Sequence, residues 1–97
     1  MEILIYHNPR CSKSRNAISI LNNLKIKYKV INYINENLSI TDINTILKKL
    51  NVDVLSIVRS NEEIWKKKYK HKNMDTEEIK KIIMENPKIM QRPIIIN

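Results

Sequence analysis

The sequence predicts a small α/β fold, because short apolar segments typical of strands alternate with segments of helical periodicity. Residues 2–6 are typical of a buried strand, residues 12–24 of a helix and residues 28–33 of a second strand. Together they predict a βαβ unit with parallel strands and a right-handed connection. The 97 residues suffice for one small core. Since no linker or repeat divides the chain, we expect residues 1–97 to form a single domain.

The predicted first helix has apolar residues spaced for one buried face, namely Ala17, Ile20, Leu21 and Leu24. In the second strand the residues alternate, with Tyr28 and Val30 on one side and Lys29, Ile31 and Tyr33 on the other.

The middle of the sequence is predicted to be helical. Ser39 and Asp42 form a capping box that begins a helix over residues 39–50. Shorter helical segments are expected at 53–58 and 62–70, the second with Trp65 in the core. Asp75 and Glu78 indicate another capped helix, which ends before Asn86-Pro87, and its predicted buried residues are Ile79, Ile82 and Ile83. Residues 94–96 predict a final strand.

The formal net charge of +8 raises nucleic acid and membrane lipid as partners, and residues 66–72 contain five lysines. The chain also has 19 Ile, 14 Lys and 13 Asn but no Gly. The enriched residues share A/T-rich codons, so codon composition explains the lysine excess. Lysines in succession also encircle a helix instead of forming a stripe along it. We therefore expect neither a nucleic-acid nor a membrane partner.

Cys11 is the only cysteine and lies where the first strand passes into the first helix, among Arg10, Lys13 and Arg15. A thiol at the positive end of a helix and close to cations has its pKa lowered from about 8.5. The same position favours an oxyanion. The sequence therefore predicts thiol chemistry on an anion, and a buried structural cysteine is the alternative. Arg10 and Arg15 are expected to add positive potential without direct contacts.

Three separated segments resemble the glutaredoxin-dependent arsenate reductases, in the same order and across the whole chain. They are His7-Asn8-Pro9-Arg10-Cys11-Ser12-Lys13-Ser14-Arg15-Asn16, Val58-Arg59 and Pro87-Lys88-Ile89-Met90-Gln91-Arg92-Pro93-Ile94-Ile95. The resemblance is to the Arg-Cys-Ser-Lys-Ser subgroup. It implies a thioredoxin-like fold with a helical insertion, in which Pro93 matches a proline that is commonly cis.

The resemblance also implies the site residues. Cys11 matches the nucleophile that attacks arsenate, and Arg59 and Arg92 match two arginines that hold the oxyanion. His7 and Ser14 match groups that support the thiolate, His7 when protonated and Ser14 through its hydroxyl. The alternatives are a His7 that only packs at the strand end and a Ser14 that only caps the helix.

With no cysteine at position 14, an external thiol must resolve the adduct. The resemblance implies glutathione and glutaredoxin in this role, with no bound cofactor and no metal. We expect a cytoplasmic protein, because a lone cysteine and no recognisable signal peptide fit a reducing compartment. The oligomeric state is not predicted.

The family's third arginine, fourth strand and closing helix match no residues of this sequence. The resemblance therefore implies a shortened fold in which Ile94, Ile95 and Ile96 form an unpaired edge strand. Two alternatives to arsenate reduction follow. One is a redox-sensitive regulator of the Spx type, which binds RNA polymerase and usually carries Cys-x-x-Cys. The other is an inactive remnant of the reductase.

Overall fold

A computed structural model describes residues 3–36 and 38–97 of the chain. These residues group into two compact units. The first unit combines the chain before Leu38 with Arg92–Asn97, and the second is Leu38–Gln91. The mixed α/β architecture predicted from the sequence is confirmed. No helix among the described residues is long and apolar enough to cross a membrane.

The first unit contains a three-stranded sheet in the order β2-β1-β3. Strand β1 (Ile3–Tyr6) pairs in parallel with β2 (Tyr28–Ile31), and helix α1 (Ser12–Asn23) connects them. The predicted βαβ unit is therefore confirmed. Strand β3 (Ile94–Ile96) returns antiparallel to the other side of β1.

Strand β3 is an edge strand whose outer side has no strand partner in the described part of the chain, as expected from the sequence. Its inner side pairs with β1. Its residues alternate as a two-residue period requires: Ile94 and Ile96 are buried, whereas Ile95 is 40% exposed.

The buried face of α1 differs from the predicted one. Leu21 is buried, but Ile20 is 50% and Leu24 63% exposed. The buried face instead runs from Ser14 past the half-buried Ala17 to Leu21. A search for apolar periodicity misses this face because its first member is a polar residue.

The second unit is mostly helical, as expected for the insertion. Its helices are α2 (Ile40–Leu50) and α3 (Thr76–Glu85), with short 3₁₀ turns at Val54–Ile57 and Pro87–Ile89 and a π-helical turn at Trp65–Tyr69. Ser39 and Asp42 form the predicted capping box, and Asp75 caps α3 by accepting from the Glu78 N–H. Trp65 is buried, as are the apolar residues of α2 and α3 that face the core of this unit: Ile43, Ile46, Ile79, Ile82 and Ile83.

An antiparallel bridge between Val58 and Met90 organises the end of the second unit. The Arg59 N–H donates to the Ile89 carbonyl at 2.6 Å, and the Gln91 N–H donates to the Ile57 carbonyl at 2.7 Å. Arg59 is thereby fixed beside the segment with which this unit ends.

Candidate active site

The loop that carries Cys11 leaves the carboxyl end of β1. The His7 N–H donates to the Ile31 carbonyl at 2.9 Å, which extends the pairing of β1 with β2 by one residue. Asn8 then closes a tight turn. Its carbonyl accepts from the Cys11 N–H and its Oδ1 from the Arg10 N–H, both at 3.0 Å. The turn places Cys11 at the N-cap of α1.

The Cys11 thiol is half-buried and makes no conventional capping hydrogen bond. Partial burial raises the pKa of the thiol, but the backbone N–H of Ser14, the Arg92 guanidinium and the backbone N–H of Lys13 together outweigh burial. The net pKa of Cys11 therefore lies below its ordinary value. Since Lys13 and Ser14 belong to the first turn of α1, their N–H groups have no partner within the helix and remain available to a thiolate.

Arg92 lies in the same unit as Cys11 although 81 positions separate them in the sequence. It directly precedes Pro93, the peptide bond between them is cis, and β3 follows. Because β3 pairs with β1, Arg92 is brought to the end of β1 from which the Cys11 loop begins. A hydrogen bond and the positive charge of Arg92 both favour the Cys11 thiolate.

Ser14 is completely buried on the first turn of α1. Its Oγ accepts the Asn8 N–H at 3.0 Å and lies 2.9 Å from Nδ1 of His7. The hydroxyl is therefore engaged with the loop and with His7, while the backbone N–H of the same residue favours the thiolate. This is a different route to thiolate support from the hydroxyl donation expected from the sequence.

Burial lowers the pKa of His7, and the positive charge of Arg15 lowers it further. The structure thus favours a neutral imidazole at neutral pH, not the protonated form that the sequence analysis invoked. A neutral His7 contributes through its hydrogen bond with Ser14 and not through charge.

Arg59 belongs to the second unit. Its side chain is partly exposed, and Nη1 lies 3.9 Å from Oε1 of Glu62. At that distance the ion pair is a weak restraint on the side chain.

Sequence reasoning missed the contact made by Arg15. Its Nη1 donates to the Pro9 carbonyl at 2.9 Å, whereas we had expected only a contribution to the local potential. The missed signal is spacing: Arg15 follows Cys11 by one helical turn, which places its side chain on the side of α1 nearest the loop. Arg10, by contrast, is exposed.

The residues that the structure describes contain no group of three or more His, Cys, Asp or Glu side chains arranged to hold a metal ion. Arg92 acts on Cys11 directly, while His7 and Arg15 contact the helix start and the loop on either side of it. Such a set can stabilise a thiolate and bind an anion.

Comparisons with known proteins agree with this fold. The chain matches the ArsC family over residues 6–97. It is 36% identical to an arsenate reductase of Haemophilus influenzae, over 100% of this chain and 85% of that protein. It is also 35% identical to the global transcriptional regulator Spx 2 of Lactococcus lactis, over 98% of this chain and 73% of that protein.

Among solved structures, an arsenate reductase from Vibrio cholerae superimposes with a TM-score of 0.92 at 31% identity, covering 99% of this chain and 83% of that one. The thioredoxin-like fold implied by the resemblance is thereby confirmed. Sequence and structure agree on one conclusion: the chain belongs to the ArsC family.

Proposed function

We propose that this protein reduces arsenate to arsenite with electrons from thiols, and that Cys11 is the nucleophile. The observation that carries the proposal is the placement of the only cysteine at a helix N-cap where backbone N–H groups and Arg92 lower its pKa. The arsenate reductase relatives support arsenate as the substrate.

In the first step the Cys11 thiolate attacks the arsenic atom. A sulfur–arsenic bond forms, and one arsenate oxygen leaves as water after it takes up protons. Arsenic remains in its pentavalent state in this adduct. Arg92 and the free N–H groups of the first turn of α1 are suited to hold the remaining oxygens, because both are donors that favour negative charge.

In the second step an external thiol supplies the electrons, because the chain has no second cysteine. A glutathione thiolate forms a sulfur–sulfur bond with Cys11 while the sulfur–arsenic bond breaks. The bonding pair stays on arsenic, which leaves as arsenite. A glutaredoxin thiol then attacks the glutathione sulfur of the mixed disulfide and releases Cys11 as a thiolate. This chemistry requires a reducing compartment, so the proposal includes a cytoplasmic location.

Arg59 is proposed as a second oxyanion-binding residue. Its support is its match to a family arginine and the partly exposed guanidinium, which lies in a long, weak ion pair with Glu62. Arginine suits this role because its planar fork can donate to two oxygens at once.

The test is arsenite formation by the full chain with glutathione and glutaredoxin. Cys11→Ser should abolish turnover, and Arg92→Met should lower kcat/KM on the order of a hundredfold, the usual cost of losing a charged donor at an anionic transition state. Arg10→Met is the matched control, since it removes an exposed arginine and should change the rate little. Turnover by Cys11→Ser at the wild-type rate contradicts the proposal, as does a folded wild-type chain with no activity, the outcome an inactive remnant predicts.

A second candidate function is regulation by binding RNA polymerase, favoured by the similarity to the Lactococcus lactis regulator. Against it, Ser14 stands where a Cys-x-x-Cys switch has its second cysteine, and its hydroxyl is buried against His7 and Asn8. Copurification of the tagged chain with RNA polymerase subunits would favour this candidate. We expect none.

A further inference from the structure

Arg15 makes a hydrogen bond that the proposed mechanism does not use. Its Nη1 reaches back from the first turn of α1 and donates to the Pro9 carbonyl at 2.9 Å. The two residues are six positions apart, and the bond closes the outer side of the loop that ends at Cys11. A charged donor makes this hydrogen bond stronger than one between neutral groups.

Proline makes this carbonyl unusually important for the loop. Pro9 has no backbone N–H, so its carbonyl is the only backbone polar group by which residue 9 can be held. The other hydrogen bonds that the structure shows for residues 8–10 all involve Asn8. The peptide group between Pro9 and Arg10 is therefore held on both sides, because Asn8 Oδ1 accepts from its N–H and Arg15 donates to its carbonyl.

Two consecutive helix residues attach the loop to α1 at two consecutive loop residues. Ser14 Oγ accepts the Asn8 N–H in the interior, and Arg15 donates to the Pro9 carbonyl at the surface. A single attachment lets a loop pivot about one bond, whereas two attachments fix its orientation. Cys11 lies two residues after Pro9 and depends on that orientation.

We propose that Arg15 is a positioning residue for Cys11: by holding the Pro9 carbonyl, it fixes the loop that directs the sulfur at the first-turn N–H groups and at Arg92. The effect of Arg15 on catalysis rests on the proposed function, whereas its effect on the order of the loop does not. Small displacements matter here, because misplacing a reacting atom by about 1 Å can cost on the order of a hundredfold in rate.

The test uses three variants of the full chain. Arg15→Met removes the donor and the charge, while Arg15→Lys keeps the charge and a donor of similar reach. Arg10→Met is the matched control, because it removes an exposed arginine next to Cys11 and leaves the hydrogen bond of the Arg10 backbone N–H in place. Arg15 is itself exposed, so we expect all three variants to fold.

Two measurements need no arsenate. The first is the backbone ¹⁵N order parameter of Arg10 and Cys11, which should fall from about 0.85 to below about 0.6 in Arg15→Met alone. The second is the rate of Cys11 alkylation by iodoacetamide against pH. Arg15→Met should move its midpoint to higher pH and lower the rate at neutral pH roughly tenfold, because the thiolate loses aligned donors. Arg15→Lys should keep most of the wild-type order parameter and most of the wild-type alkylation rate.

The proposal is overturned if Arg15→Met keeps the wild-type order parameters and alkylation profile. It is also overturned if Arg10→Met has an equal effect, because loss of positive charge would then explain the result. If Arg15→Met fails to fold, Arg15→Gln, whose amide is too short to reach Pro9, is measured in its place. In arsenate turnover, Arg15→Met should lower kcat with little change in KM. If Arg15→Met loosens the loop but the wild-type chain does not reduce arsenate, the positioning role stands and only the proposed function is refuted.

Discussion

Two opposing physical effects set the pKa of the Cys11 thiol. Partial burial disfavours the thiolate, while the first-turn N–H groups of α1 and the Arg92 guanidinium favour it and prevail. The donors come from two places in the chain, the first turn of α1 and the residue before β3. The reactivity of Cys11 is therefore a property of the folded unit and is lost when the strands separate.

His7 gives the first unit a pH dependence with a definite sign. Its folded pKa lies below the ordinary 6.5, so between these two values the unfolded chain binds more protons than the folded one. His7 therefore reduces stability as the pH falls below about 6.5. His7→Asn, which does not titrate, should be destabilised relative to wild type at pH near 7.5, and the difference should shrink at pH near 5. Urea unfolding at both pH values measures it, and a difference that stays constant with pH would contradict the lowered pKa.

The lowered pKa of Cys11 was predictable in part, because some of its causes are neighbours in the sequence. The helix N-terminus and the cations beside Cys11 predict a lowered pKa without further information. The contact of Arg92 with Cys11 depends on β3 pairing with β1, and no local pattern predicts such a pairing. Only the family resemblance suggested it.

At the scale of elements, the capping box of α2 is a local interaction that the sequence predicted correctly. The Ser39 Oγ accepts the Asp42 N–H at 3.1 Å, and the Asp42 carboxylate accepts the Ser39 N–H at 2.9 Å. Ser39→Ala should lower the free energy of unfolding by about 1 kcal/mol, since an N–H at the helix end loses its acceptor. Exposed Ser60→Ala is the control. Chemical denaturation in which both variants lose the same stability would refute the role of the cap.

Helix α1 shows where periodicity fails. Leu21 and Leu24 look equivalent in the sequence, but Leu21 is buried within the helix, whereas Leu24 is its C-cap residue and is exposed. The burial of Ser14 turns the helix so that the predicted apolar stripe only partly faces the core. A polar residue on the buried face is stable because its hydroxyl is fully engaged with His7 and Asn8.

The two leucines provide a matched pair. Leu21→Ala should cost about 2–5 kcal/mol of unfolding free energy by removing buried methyl groups. Leu24→Ala should stay within about 0.5 kcal/mol of wild type, because its side chain is already in solvent. Thermal or urea unfolding of the two variants measures both losses of unfolding free energy. Comparable losses would show that Leu24 is part of the core, as the periodicity alone had suggested.

At the scale of the whole molecule, the charge of +8 is concentrated in residues 66–72. The lysines of this run are exposed, Lys67 lies 3.9 Å from Glu63, and Lys72 lies over the Tyr69 ring. They surround a short π-helical turn and form no continuous stripe for a nucleic-acid groove. A hydrated surface is the simplest account of the run.

The absence of a nucleic-acid partner remains a prediction. The Kd for a labelled DNA duplex, measured by fluorescence anisotropy, should be weaker than about 0.1 mM at physiological salt, which is the weak limit of non-specific electrostatic binding. Replacing Lys66, Lys67 and Lys68 with glutamine should leave arsenate turnover unchanged. Micromolar binding that these substitutions abolish would contradict the prediction and make the run a genuine interface.

The measurement that tests the central claim most directly is the rate of Cys11 alkylation against pH, with and without arsenate. The proposed reductase requires a midpoint clearly below the ordinary thiol pKa of about 8.5, together with slower alkylation when arsenate occupies the site. An ordinary midpoint without protection would contradict the account and leave the ArsC fold without its proposed chemistry.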